Sequence, residues 1–220
     1  MTIANRLGKL TPALTGKERA ILAIRAQNEG RQPDPELLKI SDPAQRRQYD
    51  RYIGLGYVAS AELGMLCYAI KGQAEHAANQ AHAFEVIEEA SGILAADLAE
   101  EVDAKKVRAW RKQKTVTVPE FLAGLALEVR ESAVAELVTR WKELQALERV
   151  WEALRAEFDG EDPVVPEVRA LADAAAATLR ELAVRYRIKR LPEPEQEDID
   201  RTWALVDQAF DLLKLVKEEP

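Results

Sequence analysis

From Thr15 onward, apolar residues return three and four positions apart along most of the chain, the spacing of one helix face rather than of a strand. Thr15 and Glu18 match a capping box, Ile21, Leu22 and Ile24 supply an apolar side, and Gly30 is placed to stop the first helix. Pro33, Pro35 and Pro43 lack amide donors, so residues 31–43 read as a loop or broken turns. A second helix starts near Pro43, capped by Ser41 or Asp42, and runs towards Lys71, with Gly72 expected to end or kink it. From Gln73 a helical stripe resumes through Phe84, Ile87, Leu94, Leu98 and Val102.

Thr117-Val118-Pro119-Glu120 combines a cap, an early proline and a box-closing glutamate, and predicts a helix reaching about Phe158. Its seam is Leu144, Leu147, Trp151, Leu154 and Phe158. Beyond the Pro163–Pro166 turn, Val168, Leu171, Ala175, Leu182 and Tyr186 repeat the pattern. Beyond Leu191–Glu195 it returns in Ile199, Trp203, Val206, Phe210 and Leu213. Short proline-bearing turns should fold these helices back on one another as an antiparallel bundle. The expectation is an all-α chain with an N-terminal arm (1–14), a multi-helix N-terminal region (15–115) and a long-helix, three-helix bundle (116–220).

Composition agrees: 47% of residues are hydrophobic and 31% charged, while aromatics, which favour strands, make up only 6%. A net charge of −7 argues against a general nucleic-acid coat but permits a local basic patch. Cys67 stands alone, so neither an internal disulfide nor a cysteine metal cluster is expected, and its apolar surroundings make it a small buried hydrophobe. Met1–Leu14 contains no long apolar run, which predicts no signal peptide and a cytoplasmic protein. Ile53–Ile70 is apolar except for Glu62. With an acid at its middle and many small residues, it reads as a central buried helix of a soluble protein rather than a membrane span.

Candidate chemistry is sparse. Gly56, Ser60 and Gly64 fall at intervals of four on one helix face. Interior glycines cost about 1 kcal/mol against alanine, so this face is expected to meet another backbone closely and is the candidate interaction surface. Glu75, His82 and Glu89 align seven apart and are the weak metal candidates, but the Glu-x-x-His spacing of carboxylate-bridged bundles is absent. There is no Gly-x-Ser-x-Gly elbow, no histidine near Cys67 in sequence, and no upstream P-loop glycine before Thr15-Gly16-Lys17. Neither an enzyme activity nor a cofactor is expected.

One charge boundary stands out. Residues 84–103 hold seven acids and no base, whereas Lys105, Lys106, Arg108, Arg111, Lys112 and Lys114 follow with no acid among them. Such a block complements a helix dipole, or it faces an anionic partner. Leu94–Val102, Asp103-Ala104, Lys105–Lys114 and Thr117–Leu127 together resemble the supporting helix, turn, recognition helix and following helix of repressor-type helix-turn-helix DNA-binding domains. The turn is shorter than that family's, and Asp103 stands where glycine is usual. The resemblance implies that the six bases would face DNA. The leading expectation is a non-enzymatic helical protein acting through helix-mediated contact with another protein or with itself, homo-oligomerisation included. The alternative is a DNA-binding regulator using residues 105–114.

Overall fold

A computed structural model of the chain describes residues 14–91 and 118–218. The described part is all-α: 81% helical, with five α-helices and no strand. The helices are α1 (Gly16–Asn28), α2 (Pro43–Ser91), α3 (Val118–Glu157), α4 (Pro166–Arg185) and α5 (Gln196–Glu218), with a 3-10 turn at Pro35–Leu38.

Local chemistry accounts for the ends. Both halves of the Thr15–Glu18 capping box form. Gly30 takes φ 69° after α1, and its amide reaches the Gln27 carbonyl while Arg31 reaches Ala26, the two bonds that close a helix C-terminus. Asp42 caps α2 by accepting the Ala44 amide at 2.9 Å. The expected break at Gly72 does not occur, and α2 is continuous for 49 residues. A single glycine costs only about 1 kcal/mol. Regularly buried Cys67, Ile70, Ala74, Ala77 and Ala81 hold the helix on both sides of it.

Contacts divide the chain into two units. The first runs through Gly64 and includes Trp151–Val168 and the part of α5 from Ala204. The second holds Met65–Val150 and Arg169–Trp203. The boundary expected at 115/116 falls outside the described residues, as do the arm at 1–13 and the basic segment 105–114.

In the first unit, Ala20 and Ala23 of α1 pack against Tyr49 of α2, with Leu37, Ile40, Tyr52 and Ile53 around them. Ile21 and Ile24 meet Phe158, whose ring stands edge-on to Tyr52 at 5.3 Å. The small alanines let α1 and α2 come close, and the larger side chains fill the space beside them. In the second unit, α3 and α4 run antiparallel. Arg130 donates to the Tyr186 carbonyl at 3.0 Å, and Arg180 lies 5.4 Å from the Trp141 ring centroid. Their core is Leu137, Leu144, Leu147, Leu179 and Leu182, with Ala172, Ala175 and Ala176 on α4 allowing close approach.

Among the described residues, one helix, within Pro43–His82, is long and apolar enough to cross a membrane, and 39% of its most apolar stretch is buried. The expectation of a central buried helix therefore needs correction. Val58, Ala59 and Leu63 are buried, but Tyr57 stands 71% exposed, and further along the helix Met65 and Tyr68 are 59% and 72% exposed. Among the described residues, this stretch of α2 is covered only in part.

Candidate functional site: a groove beside Tyr57

The turn between α3 and α4 shapes the first unit's most distinctive surface. Asp159 and Gly160 take positive φ (55° and 89°), which reverses the chain after Phe158. Asp162 then accepts the Trp151 indole N–H at 2.7 Å and the Val164 amide at 3.1 Å, an Asx-type clamp that sets the Asp162–Pro163–Val164 segment. From α1, Lys17 bonds Asp159 at 2.8 Å, Arg25 pairs with Glu161, and Asn28 Nδ2 donates to the carbonyls of Asp162 (2.9 Å) and Val164 (3.3 Å). The hydrogen bond to Asp159 holds the Lys17 ammonium above its ordinary pKa, and that to Glu161 does the same for the Arg25 guanidinium.

From α2 comes the small-residue face. A Cβ at Gly56 would meet Ile24 Cδ1 at 2.9 Å and the Pro163 carbonyl oxygen at 3.4 Å, and one at Gly64 would meet Val168 Cγ2 at 3.2 Å. Ser60 Oγ reaches the Pro163 carbonyl at 3.5 Å and accepts the Val165 amide at 3.3 Å. The close neighbours of Gly56, Ser60 and Gly64 are thus the chain's own Ile24 side chain and Pro163–Val168 segment.

These contacts leave a groove of about 410 Å³ between the C-terminal half of α1, the N-terminal half of α2 and the turn. Ile24, Ile53, Tyr57, Ala61, Pro163 and Val165 give it an apolar lining, completed by Gly56, Ser60, Gln27 and Asn28. The turn's carboxylates are already engaged by Lys17, Arg25 and Trp151, and Asn28 Nδ2 is spent on the turn's carbonyls, so the groove offers a partner mainly apolar carbon. None of Tyr57, Ala61, Asn28 and the Pro163–Val165 turn was singled out from the sequence for binding. The available signal was the tyrosine inside an otherwise small and aliphatic run, Gly54–Ser60.

The other expected site residues are not brought together. Glu75 pairs with Lys71. His82 is exposed and lies 3.5 Å from Glu85. Among the described residues no group of three His, Cys, Asp or Glu side chains is placed to hold a metal ion. Cys67 is fully buried, and burial pushes its thiol up to about 12. Lys105, Lys106, Arg108, Arg111, Lys112 and Lys114 lie outside the described residues.

The fold and the groove define an all-α protein with an apolar surface cleft. No family model matches the chain, and no curated protein or solved structure is detectably similar to it.

Proposed function

We propose that this chain is a non-enzymatic helical protein that works through helix-mediated contact with another polypeptide, and that the groove beside Tyr57 is the contact site. The observation that carries this reading is Tyr57 itself, 71% exposed on the wall of an apolar groove. A large amphipathic ring left in water beside a concave apolar surface is the composition of an interface anchor, since tyrosine supplies contact area at little conformational cost. An amphipathic helix laid into the groove would cover Ile53, Ala61 and Val165 together and could meet the Gln27 amide with a polar side chain.

The test is a photo-crosslinking amino acid placed at position 57, compared with the same group at exposed Gln73 of the same helix. The expected result is an adduct to a defined polypeptide from position 57, absent from position 73 and lost when Ala61→Glu puts a charge into the groove. Equal adducts from both positions, or an adduct indifferent to Ala61→Glu, would remove the groove as the contact site.

A further inference from the structure

We infer that the turn closing α4 is a docking surface for an acidic segment of a partner polypeptide, with Arg187, Lys189 and Arg190 as its charged contacts and Val184 as its apolar one. The surface belongs to the second unit, and nothing in it depends on the groove. From Arg180 to Leu191 the chain holds five bases and a single acid, Glu181, in a protein whose net charge is −7.

Local chemistry fixes the turn and leaves its basic side chains free. Ile188 and Arg187 donate their amides to the Ala183 and Val184 carbonyls at 2.8 and 3.0 Å, the bond pair that closes a helix C-terminus. Arg130 of α3 donates to the Tyr186 carbonyl at 3.0 Å, and Tyr186 is buried. Arg187 takes φ 54°, in the place where helices ordinarily carry glycine. Neighbouring charges are used within the unit: Arg185 pairs with Glu85 at 3.0 Å, Arg149 with Glu193 and Lys142 with Glu195. Arg187, Lys189 and Arg190 are exposed, and their side chains meet no acid among the described residues.

Bases near a helix C-terminus ordinarily serve the helix dipole, an effect confined to the last turn. Here Arg185 supplies that charge, and the turn's own amides and Arg130 already meet carbonyls at the helix end. The three bases beyond Arg185 are surplus to that role. Guanidinium and ammonium groups presented on a fixed backbone suit a row of carboxylates, which they meet by charge-assisted hydrogen bonds.

Apolar neighbours select the kind of anion. Val184 is 78% exposed, and Val86, next in the chain to the Glu85 that pairs with Arg185, is 53% exposed. A valine beside fixed bases can receive an apolar side chain of an amphipathic acidic segment, whereas a phosphate backbone has none to offer it. Tyr186, the turn's one aromatic residue, is buried, so no ring is presented for base stacking. The overall negative charge also repels a long polyanion more than a short acidic segment.

The experiment is fluorescence anisotropy of a dye-labelled peptide of glutamates with interspersed leucines, titrated with the full chain at low salt. Arg187→Gln/Lys189→Gln/Arg190→Gln is the turn variant, and Arg47→Gln/Arg51→Gln removes exposed, unpaired bases from α2 as a control. All five side chains are in solvent, and unchanged far-UV circular dichroism and melting would show that both variants fold. The wild type and the α2 variant are expected to bind alike, and the turn variant about tenfold more weakly, the combined effect of three solvent-exposed pairings. Val184→Ser should weaken the complex as well. No binding by the wild type, undiminished binding by the turn variant, or equal losses in the two variants overturns the inference, the last because total charge alone would then govern binding. Indifference to Val184→Ser together with tighter binding of a duplex DNA would assign the surface to phosphates and overturn the polypeptide.

Discussion

Alanine at Gly16 should destabilise this protein, although alanine usually strengthens helices. A Cβ built at Gly16 lies 2.1 Å from the Gln45 carbonyl oxygen, 2.9 Å from the Tyr49 amide nitrogen and 3.0 Å from the Gln45 carbonyl carbon. All three are backbone atoms near the start of α2, so no rotamer change relieves the overlap. α1 would have to retreat by on the order of 1 Å to restore ordinary contact distances. That movement loosens Ala20 and Ala23 from Tyr49 and pulls the Gly16 amide from the Gln45 side-chain oxygen that accepts it. Overpacking in a core costs roughly 1–3 kcal/mol and occasionally more, and a backbone wall belongs at the upper end. Alanine's helix preference offsets at most about 1 kcal/mol, so the net loss should be about 2 kcal/mol. Gly72→Ala is the internal control. Nothing lies within 4 Å of a Cβ there, and the position is exposed inside α2, so it should gain up to about 1 kcal/mol. Urea unfolding followed by circular dichroism measures both. If Gly16→Ala proves as stable as the wild type, α1 does not seat against α2 as described and the reasoning fails.

Other tests address the groove's support and the buried thiol. Asn28→Ala removes the donor shared by the Asp162 and Val164 carbonyls and should cost about 1–2 kcal/mol in the same urea assay; an unchanged midpoint would mean that the turn is held without it. Cys67 should resist iodoacetamide in the folded chain and react on unfolding, because burial keeps its thiol protonated. The folded pKa is raised from 9.0 to about 12, so its stabilising contribution is complete below pH 9 and lost as pH rises from 9 towards 12. Cys67→Ala should flatten that alkaline limb, and an identical pH profile would place the titrating group elsewhere. Association through the groove should change little between low and high salt, since apolar contacts are not screened. A steep loss with salt would mean that charged groups, not the groove's apolar lining, make the contact.

Much of the helical framework was legible from local chemistry, for a physical reason. A capping box, a positive-φ glycine or a proline acts within one turn of chain, so Thr15–Glu18, Gly30 and Asp42 declare their roles in sequence. The seam from Leu144 to Phe158 was equally plain, and Leu144, Leu147, Trp151, Leu154 and Phe158 are all buried. Gly72 misled because intrinsic propensity is a weak term beside burial on both sides of it. The groove was not legible at all. It depends on Arg25 meeting Glu161 and Asn28 meeting Val164, pairs separated by 136 residues in each case, and nothing local distinguishes those side chains from an ordinary solvated helix face. Gly56, Ser60 and Gly64 did signal a close approach, but periodicity cannot say whose backbone approaches.

The identity of that backbone determines what kind of surface is left over. Because the Pro163–Val168 segment occupies the small-residue face, Ser60 and the turn's amides and carbonyls are engaged inside the unit. Because Lys17, Arg25 and Trp151 hold Asp159, Glu161 and Asp162, the turn's acids are engaged as well. A turn rich in acid and proline would ordinarily be a polar, solvated loop. Here its polar groups are used internally, and it shows Pro163 and Val165 to the groove. The same bonds that fix the turn therefore make the surface beside it apolar. Weakening them, as in Asn28→Ala, should impair folding and association together, whereas Tyr57→Asp should impair association alone.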